Sequence, residues 1–179
     1  VAKPGGVRMI AYRDAQPADG AALDAMARQI WFETFGHSAP AADIAAYLDK
    51  AYGPGGALLR DLADPTIHFY LAIEGDRIVG YAKLTDPWVV EAANVADALQ
   101  LSQLYVVADR HGHGIAQALM DWTIATTRIR GAPALFLTVW EENARARKFY
   151  ERYGFVHVGD YAFHVGAQVD RDEVMRLSL

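Results

Sequence analysis

The chain has 179 residues, just over half of them apolar, with a formal charge of -5, a size that suits one domain with a sizeable core built without disulfides or metals. With no cysteine, disulfides, thiolate nucleophiles and cysteine-based metal sites are excluded, and a reducing, cytoplasmic setting fits. The acidic balance, without a clustered basic patch, argues against a nucleic-acid surface; no apolar run approaches the roughly 18 residues of a membrane span, and residues 1–10 carry two glycines and a proline rather than a signal-peptide core.

Residues 7–11 read as a short strand, followed by Asp14 and Pro17 as turn and helix-start residues. From 21 to 35, apolar residues recur at Leu23, Met26, Ala27, Ile30, Trp31 and Phe35, the spacing of one helical face, and Gly36 ends the run. A second helix fits 40–52, with Ile44, Tyr47 and Leu48 on one face, and the Gly-Pro-Gly-Gly of 53–56 breaks it. A short helical piece spans 58–62. Apolar runs at 67–73 and 78–84 flank the turn residues 74–77 and predict a β-hairpin. Residues 85–97 carry Pro87 and Trp88 but no period, so they read as a loop on the acceptor side of any site.

The stretch 98–107 is a strand whose apolar positions change phase, from Leu99 and Leu101 to Leu104 and Val106. One extra residue near Ser102 or Gln103 would bulge it and splay it from its neighbour. A helix over 113–130 with a buried stripe of Ile115, Leu119, Trp122, Ala125 and Ile129 follows, then a strand over 134–140 and a helix over 144–153. Strands over 155–158, 161–165 and 173–179 close the chain, the last two joined by a hairpin through Asp170 and Asp172. No repeat, linker or low-complexity tract divides it, so a single domain over 1–179 is expected.

Two segments carry chemistry. Between the phase-shifted strand and the long helix lies His111-Gly112-His113-Gly114-Ile115-Ala116, followed by Gln117. A strand, a tight glycine turn and a helix start suit an anion, because the first helical turn presents unpaired N–H groups and the positive end of the dipole, and small residues allow close approach. A P-loop would need a Gly-Lys-Ser/Thr ending, and a dinucleotide fingerprint a third small residue where Gln117 stands; both are missing. Further on, Asn143 is a favoured N-cap and Gly154 a favoured helix end. Tyr150 lies seven residues past Asn143, on the same face and roughly 10 Å along the axis, so a long thin ligand could touch both.

The order of these elements, with His111-Gly112-His113-Gly114-Ile115-Ala116 and the Asn143…Tyr150…Gly154-Phe155 block, resembles the GNAT superfamily of N-acetyltransferases. The family signature is Gln/Arg-x-x-Gly-x-Gly/Ala, and His111 stands where Gln or Arg is usual. The resemblance implies a mixed α/β (α+β) fold: a mostly antiparallel sheet of about seven strands, helices on both faces, and a bulged, splayed fourth strand. It implies acetyl-CoA as cosubstrate, bound by residues 111–117, by Asn143 and Tyr150, and through the pantetheine arm by backbone groups of Tyr105, Val106 and Val107. It implies direct attack of an amine on the thioester, with Tyr150 as general acid. The 31–35 helix segment and the 78–81 strand look most like polyamine-acetyltransferase-type members.

Many relatives place a glutamate base on the bulged strand, whereas this strand offers Gln100, Ser102 and Gln103. Glu33 and Glu91 are the carboxylates kept as candidates. Trp31, Phe35 and Trp88 are read as core rather than site. No metal site is expected, since His111 and His113 lack further partners. The acceptor is expected to be a small-molecule primary amine, with a protein or peptide amine, or a non-catalytic CoA-binding regulatory module, as alternatives; a second copy of the chain stays open as a partner.

Overall fold

The structure, a computed structural model, describes residues 9–179. Its frame is a seven-stranded sheet made by β1 (Ile10–Asp14), β2 (His68–Glu74), β3 (Arg77–Thr85), β4 (Leu99–Val106), β5 (Ala134–Trp140), β6 (Val156–Val165) and β7 (Gln168–Ser178) in the order β1-β2-β3-β4-β5-β7-β6. Every neighbouring pair is antiparallel except β4 with β5. Five α-helices among the described residues accompany it: α1 (Gly20–Phe35), α2 (Ala41–Ala51), α3 (Ala57–Ala63), α4 (Ile115–Ile129) and α5 (Ala144–Arg152). The mixed fold anticipated from the sequence is present.

Alternation along β2 places helices on opposite faces. Tyr70 stacks flat on Trp122 of α4, ring centroids 4.5 Å apart, whereas its neighbour Phe69 points the other way and pairs in register with Lys83, whose ammonium meets Asp61 of α3. With both faces covered, β3 is buried along nearly its whole length. No helix among the described residues is long and apolar enough to cross a membrane.

The phase change in β4 is a bulge. Lys83 pairs with Gln103 and Leu84 with Leu101, leaving Ser102 as the extra residue. Parallel pairing of β4 with β5 consists of Leu99 with Leu135 and Gln100 with Phe136; past that point the two strands separate and open a wedge in the sheet.

Several boundaries differ from the sequence expectation. The first strand runs on to Asp14, because its pairing extends to Asp14 with Tyr70; residues 7 and 8 lie outside the described residues. Residues 155–165 form one continuous strand from 156, bent by a bulge between His157 and Gly159. The last hairpin turns at Gly166 and Ala167, between paired Val165 and Gln168, with Gly166 at φ 59° as a two-residue loop requires. Asp170 and Asp172 therefore sit inside β7, opposite Phe163 and Tyr161.

The buried stripe of α4 is Ile115, Leu119, Met120, Thr123 and Thr127, while Ala125 and Ile129 face solvent. The threonines enter the core because each hydroxyl is satisfied on its own helix: Thr123 donates to the Leu119 carbonyl at 2.8 Å and Thr127 to the Thr123 carbonyl at 2.7 Å. Leu119 is fully enclosed, so Leu119→Ala should cost about 3 kcal/mol by leaving a cavity, measurable by urea denaturation.

Candidate active site

The wedge between β4 and β5 is a cleft of about 1220 Å³ that runs from the start of α4, past α5, to α1 and α2. Beyond Gln100, the edge of β4 that faces β5 has no β5 strand partner, so its backbone groups are available to an extended ligand lying in the opening.

At one end is the glycine turn. Gly112 has φ 80° and Gly114 φ 78°, a region that non-glycine residues adopt at a cost. A Cβ at Gly112 would meet nothing within 4 Å, and one at Gly114 only the Gln117 side-chain oxygen at 3.7 Å; both glycines border open space. Gly114 in this conformation delays the helix, so α4 begins at Ile115 rather than at 113. Its first helical bond runs from Ala118 N–H to the Gly114 carbonyl at 3.0 Å, which leaves the N–H groups of Ile115, Ala116 and Gln117 ahead of the ladder and facing the cleft mouth.

His111 braces this turn. Its Nδ1 lies 2.6 Å from an Arg145 guanidinium nitrogen and its Nε2 2.9 Å from the Val106 carbonyl. Arginine can only donate, so Nδ1 accepts and Nε2–H donates, tying β4, the turn and α5 together. The residue that departs from the family signature thus does structural work with its ring. Arg145, Lys148 and Arg152 of α5 all border the cleft, forming a cationic ridge beside the helix start that suits a polyphosphate. Sequence reasoning missed them, although their spacing of three and four residues was visible.

α5 holds the other expected group. Asn143 caps it, its side-chain oxygen accepting from Ala146 N–H at 3.1 Å. Tyr150 is 9% exposed, its ring set edge-on to Phe149 and Phe155, and burial pushes its phenol up to about 12, so it is protonated throughout the neutral range.

Of the residues expected in the site, Tyr105, Val106, His111, Gly112, Gly114, Ile115, Ala116, Gln117, Asn143 and Tyr150 border the cleft, and Val107 and His113 do not. The Val107 N–H donates to the Val79 carbonyl at 3.0 Å, which removes it as a pantetheine donor. His113 turns back on the loop, its Nδ1 3.0 Å from the His111 carbonyl. Of the two carboxylates kept as bases, Glu33 borders the cleft but is exposed and accepts from Gln29 at 2.8 Å, and Glu91 is not in the lining. Trp31, Phe35 and Trp88, read as core, do border it. The Trp31 ring is 2% exposed and stacks on Tyr47 at 4.3 Å, so it belongs to core and pocket wall at once.

A wedge opened in a mixed sheet, with an anion-competent helix start and a proton-bearing tyrosine along one cleft, suits an extended, phosphate-bearing ligand. The open space at both glycines and the uncommitted N–H groups fit coenzyme A. Comparison with known proteins agrees. Residues 23–155 match the acetyltransferase (GNAT) family. The chain is similar to an uncharacterized N-acetyltransferase of Mycobacterium tuberculosis, 38% identical over 114 residues, 64% of this chain and 69% of that protein. It is also similar to one from Lactobacillus delbrueckii subsp. lactis, 26% identical over 159 residues, 87% of this chain and 89% of that protein. In fold it matches the PaiA N-acetyltransferase of Thermoplasma acidophilum, crystallised with coenzyme A, with a TM-score of 0.72 at 18% identity over 96% of this chain and 99% of that one. The chain belongs to the GNAT acetyltransferase family, and is an acyltransferase with acetyl-CoA as cosubstrate.

Proposed function

We propose that this enzyme moves the acetyl group of acetyl-CoA to a primary amine of a small molecule by direct attack, with Tyr150 protonating the departing thiolate. The observation that carries the reading is that the Tyr150 phenol, the glycine turn and an aromatic-walled recess share one cleft.

The N–H groups of 115–117 and the ridge of Arg145, Lys148 and Arg152 hold the pyrophosphate, and the β5-facing edge of β4 guides the pantetheine arm toward the recess. At the far end, Trp31 and Phe35 from α1, Tyr47 from α2, Trp140 from β5 and Phe163 from β6 form a contiguous aromatic wall, with ring centroids 4.3 to 6.4 Å apart. Such a recess encloses a compact apolar stem better than a peptide backbone, whose polar groups would need partners there.

The amine nitrogen bonds to the thioester carbon, the carbon–sulfur bond breaks with its electron pair passing to sulfur, and Tyr150 supplies the proton that completes the thiol. A phenol at about 12 is a weaker acid than a thiol in water, at about 8.5. A thiolate formed in the same desolvated space is raised by the same burial, which narrows the gap. The proton on the new amide nitrogen restores Tyr150 through solvent.

A panel of small primary amines, lysine peptides and peptides with free N-termini, scored for acetyl-CoA-dependent thiol release with mass detection of the product, tests the reading. Acetylation of small amines is expected. Acetylation confined to peptides would replace the acceptor class, and absence of acetyl-CoA binding would overturn the whole.

A further inference from the structure

The carboxylate that β7 carries into the cleft has no role in the reaction as described so far. Asp172 borders the cleft beside Thr138 and Trp140 of β5. It pairs in register with Trp140 on one side and Tyr161 on the other, so all three side chains leave the sheet on one face. Phe163, two residues beyond Tyr161, joins them on that face, and Tyr47 closes over it at 5.6 Å from the Phe163 ring. Asp172 is thus set among the rings of the acceptor recess.

Its electrostatic surroundings are one-sided. Thr138 donates a hydrogen bond to it, while Asp170 and Glu141 repel its charge. From the helices the facing group is the Tyr47 phenol of α2, itself pushed up to about 12 by burial. Of the basic side chains on neighbouring elements, Arg171 is engaged with Glu141 and Asp160, both at 2.9 Å, and Arg147 with Glu173 at 2.9 Å, while the His37 ring lies against Trp140, centroids 5.9 Å apart. Among the described residues no lysine, arginine or histidine ion-pairs with Asp172. Burial first, then the charges of Asp170 and Glu141, raise its carboxyl to about 6. A carboxylate kept in an aromatic recess without a resident cation is costly to the fold, and its natural complement is a cation supplied from outside.

Resting on the acetyl-transfer reading above, we infer that Asp172 receives the acceptor's ammonium group in the aromatic recess and takes its proton before attack, which makes the acceptor a cationic primary amine on an apolar or aromatic stem. The ammonium gains the carboxylate and the aromatic surface of Tyr47 and Trp140. Its proton passes to Asp172, leaving R–NH2 to bond to the thioester carbon; the protonated carboxyl then returns its proton to solvent, while Tyr150 serves sulfur. The base absent from β4 is supplied by β7.

Phenethylamine and hexylamine, with phenethyl alcohol and hexanol as neutral counterparts, are the probes. In calorimetry on the CoA complex, each amine should bind more tightly than its alcohol, and Asp172→Asn should weaken amine binding roughly tenfold while leaving the alcohols unchanged. Acetyl-CoA affinity should be the same in both proteins. In turnover, Asp172→Asn should lower kcat/KM roughly 100-fold at neutral pH, and Asp172→Glu should recover part of it. The pH profile adds a readout that a structural role would not move. Wild type should rise to a plateau above about pH 6 and fall only near the amine's own value of about 10, whereas the Asn variant, which can use only free base, should keep rising toward that value.

The fold should report the same residue with the opposite sign. A carboxyl whose folded value, about 6, exceeds its ordinary 3.8 stabilises the fold below that window and loses the contribution as pH rises through it. Asp172→Asn should therefore melt higher than wild type above about pH 6 and equal to it below pH 3.8. Equal amine and alcohol binding, or an Asn variant with wild-type kcat/KM and plateau, would overturn the assignment of Asp172 while leaving acetyl transfer intact. Failure of wild type to bind acetyl-CoA would strike the parent reading instead.

Discussion

Gly114→Trp is expected to abolish measurable acetyl-CoA binding in calorimetry, a loss of at least roughly 100-fold, or about 3 kcal/mol. Two effects combine. The residue has φ 78°, where an L side chain costs roughly 1–2 kcal/mol, and an indole placed there would project into the open space ahead of the Ile115, Ala116 and Gln117 N–H groups. Gly114→Ala separates the two, since its Cβ meets only Gln117 at 3.7 Å. It should lower stability by about 1 kcal/mol yet bind acetyl-CoA within a few-fold of wild type. A folded Gly114→Trp protein with unchanged affinity would remove the pyrophosphate from this turn.

The segments proposed to hold the cofactor are legible in the sequence because backbone-made sites leave local signals. A strand phase change at Ser102, glycines at 112 and 114, and an N-cap at Asn143 each act through the residues beside them. The acceptor half was harder to read because it is assembled from α1, α2, β5, β6 and β7, which no spacing connects. Trp31 and Phe35 read as core because they occupy the apolar stripe of α1, and they do pack there while their far edges wall the recess. Asp172 is hidden in the sequence by turn chemistry: aspartates are common in turns, so Asp170 and Asp172 read as the hairpin tip. The tip is Gly166-Ala167, and the shift turns a loop residue into an inward-facing carboxylate. Local chemistry hides the core face of α4 as well, where Thr123 and Thr127 look polar until their hydroxyls are seen bonded to the preceding turn.

Tyr150→Phe should lower kcat more than tenfold while acetyl-CoA affinity and stability stay near wild type. The ring's contacts with Phe149 and Phe155 survive the substitution, and burial alone accounts for the perturbed phenol, so the hydroxyl is not a strut of the fold. What is lost is a proton donor required as the carbon–sulfur bond breaks, a contribution to the transition state and not to binding, so kcat and kcat/KM should fall together with the KM for acetyl-CoA little changed. The size of the loss also tests the proposed division of labour. If Asp172 handles the amine and Tyr150 the sulfur, combining Tyr150→Phe with Asp172→Asn should reduce the rate by nearly the product of the single effects, because each acts on a different proton. Strong non-additivity would mean that one group serves both, and wild-type turnover in Tyr150→Phe would end its assignment as the acid.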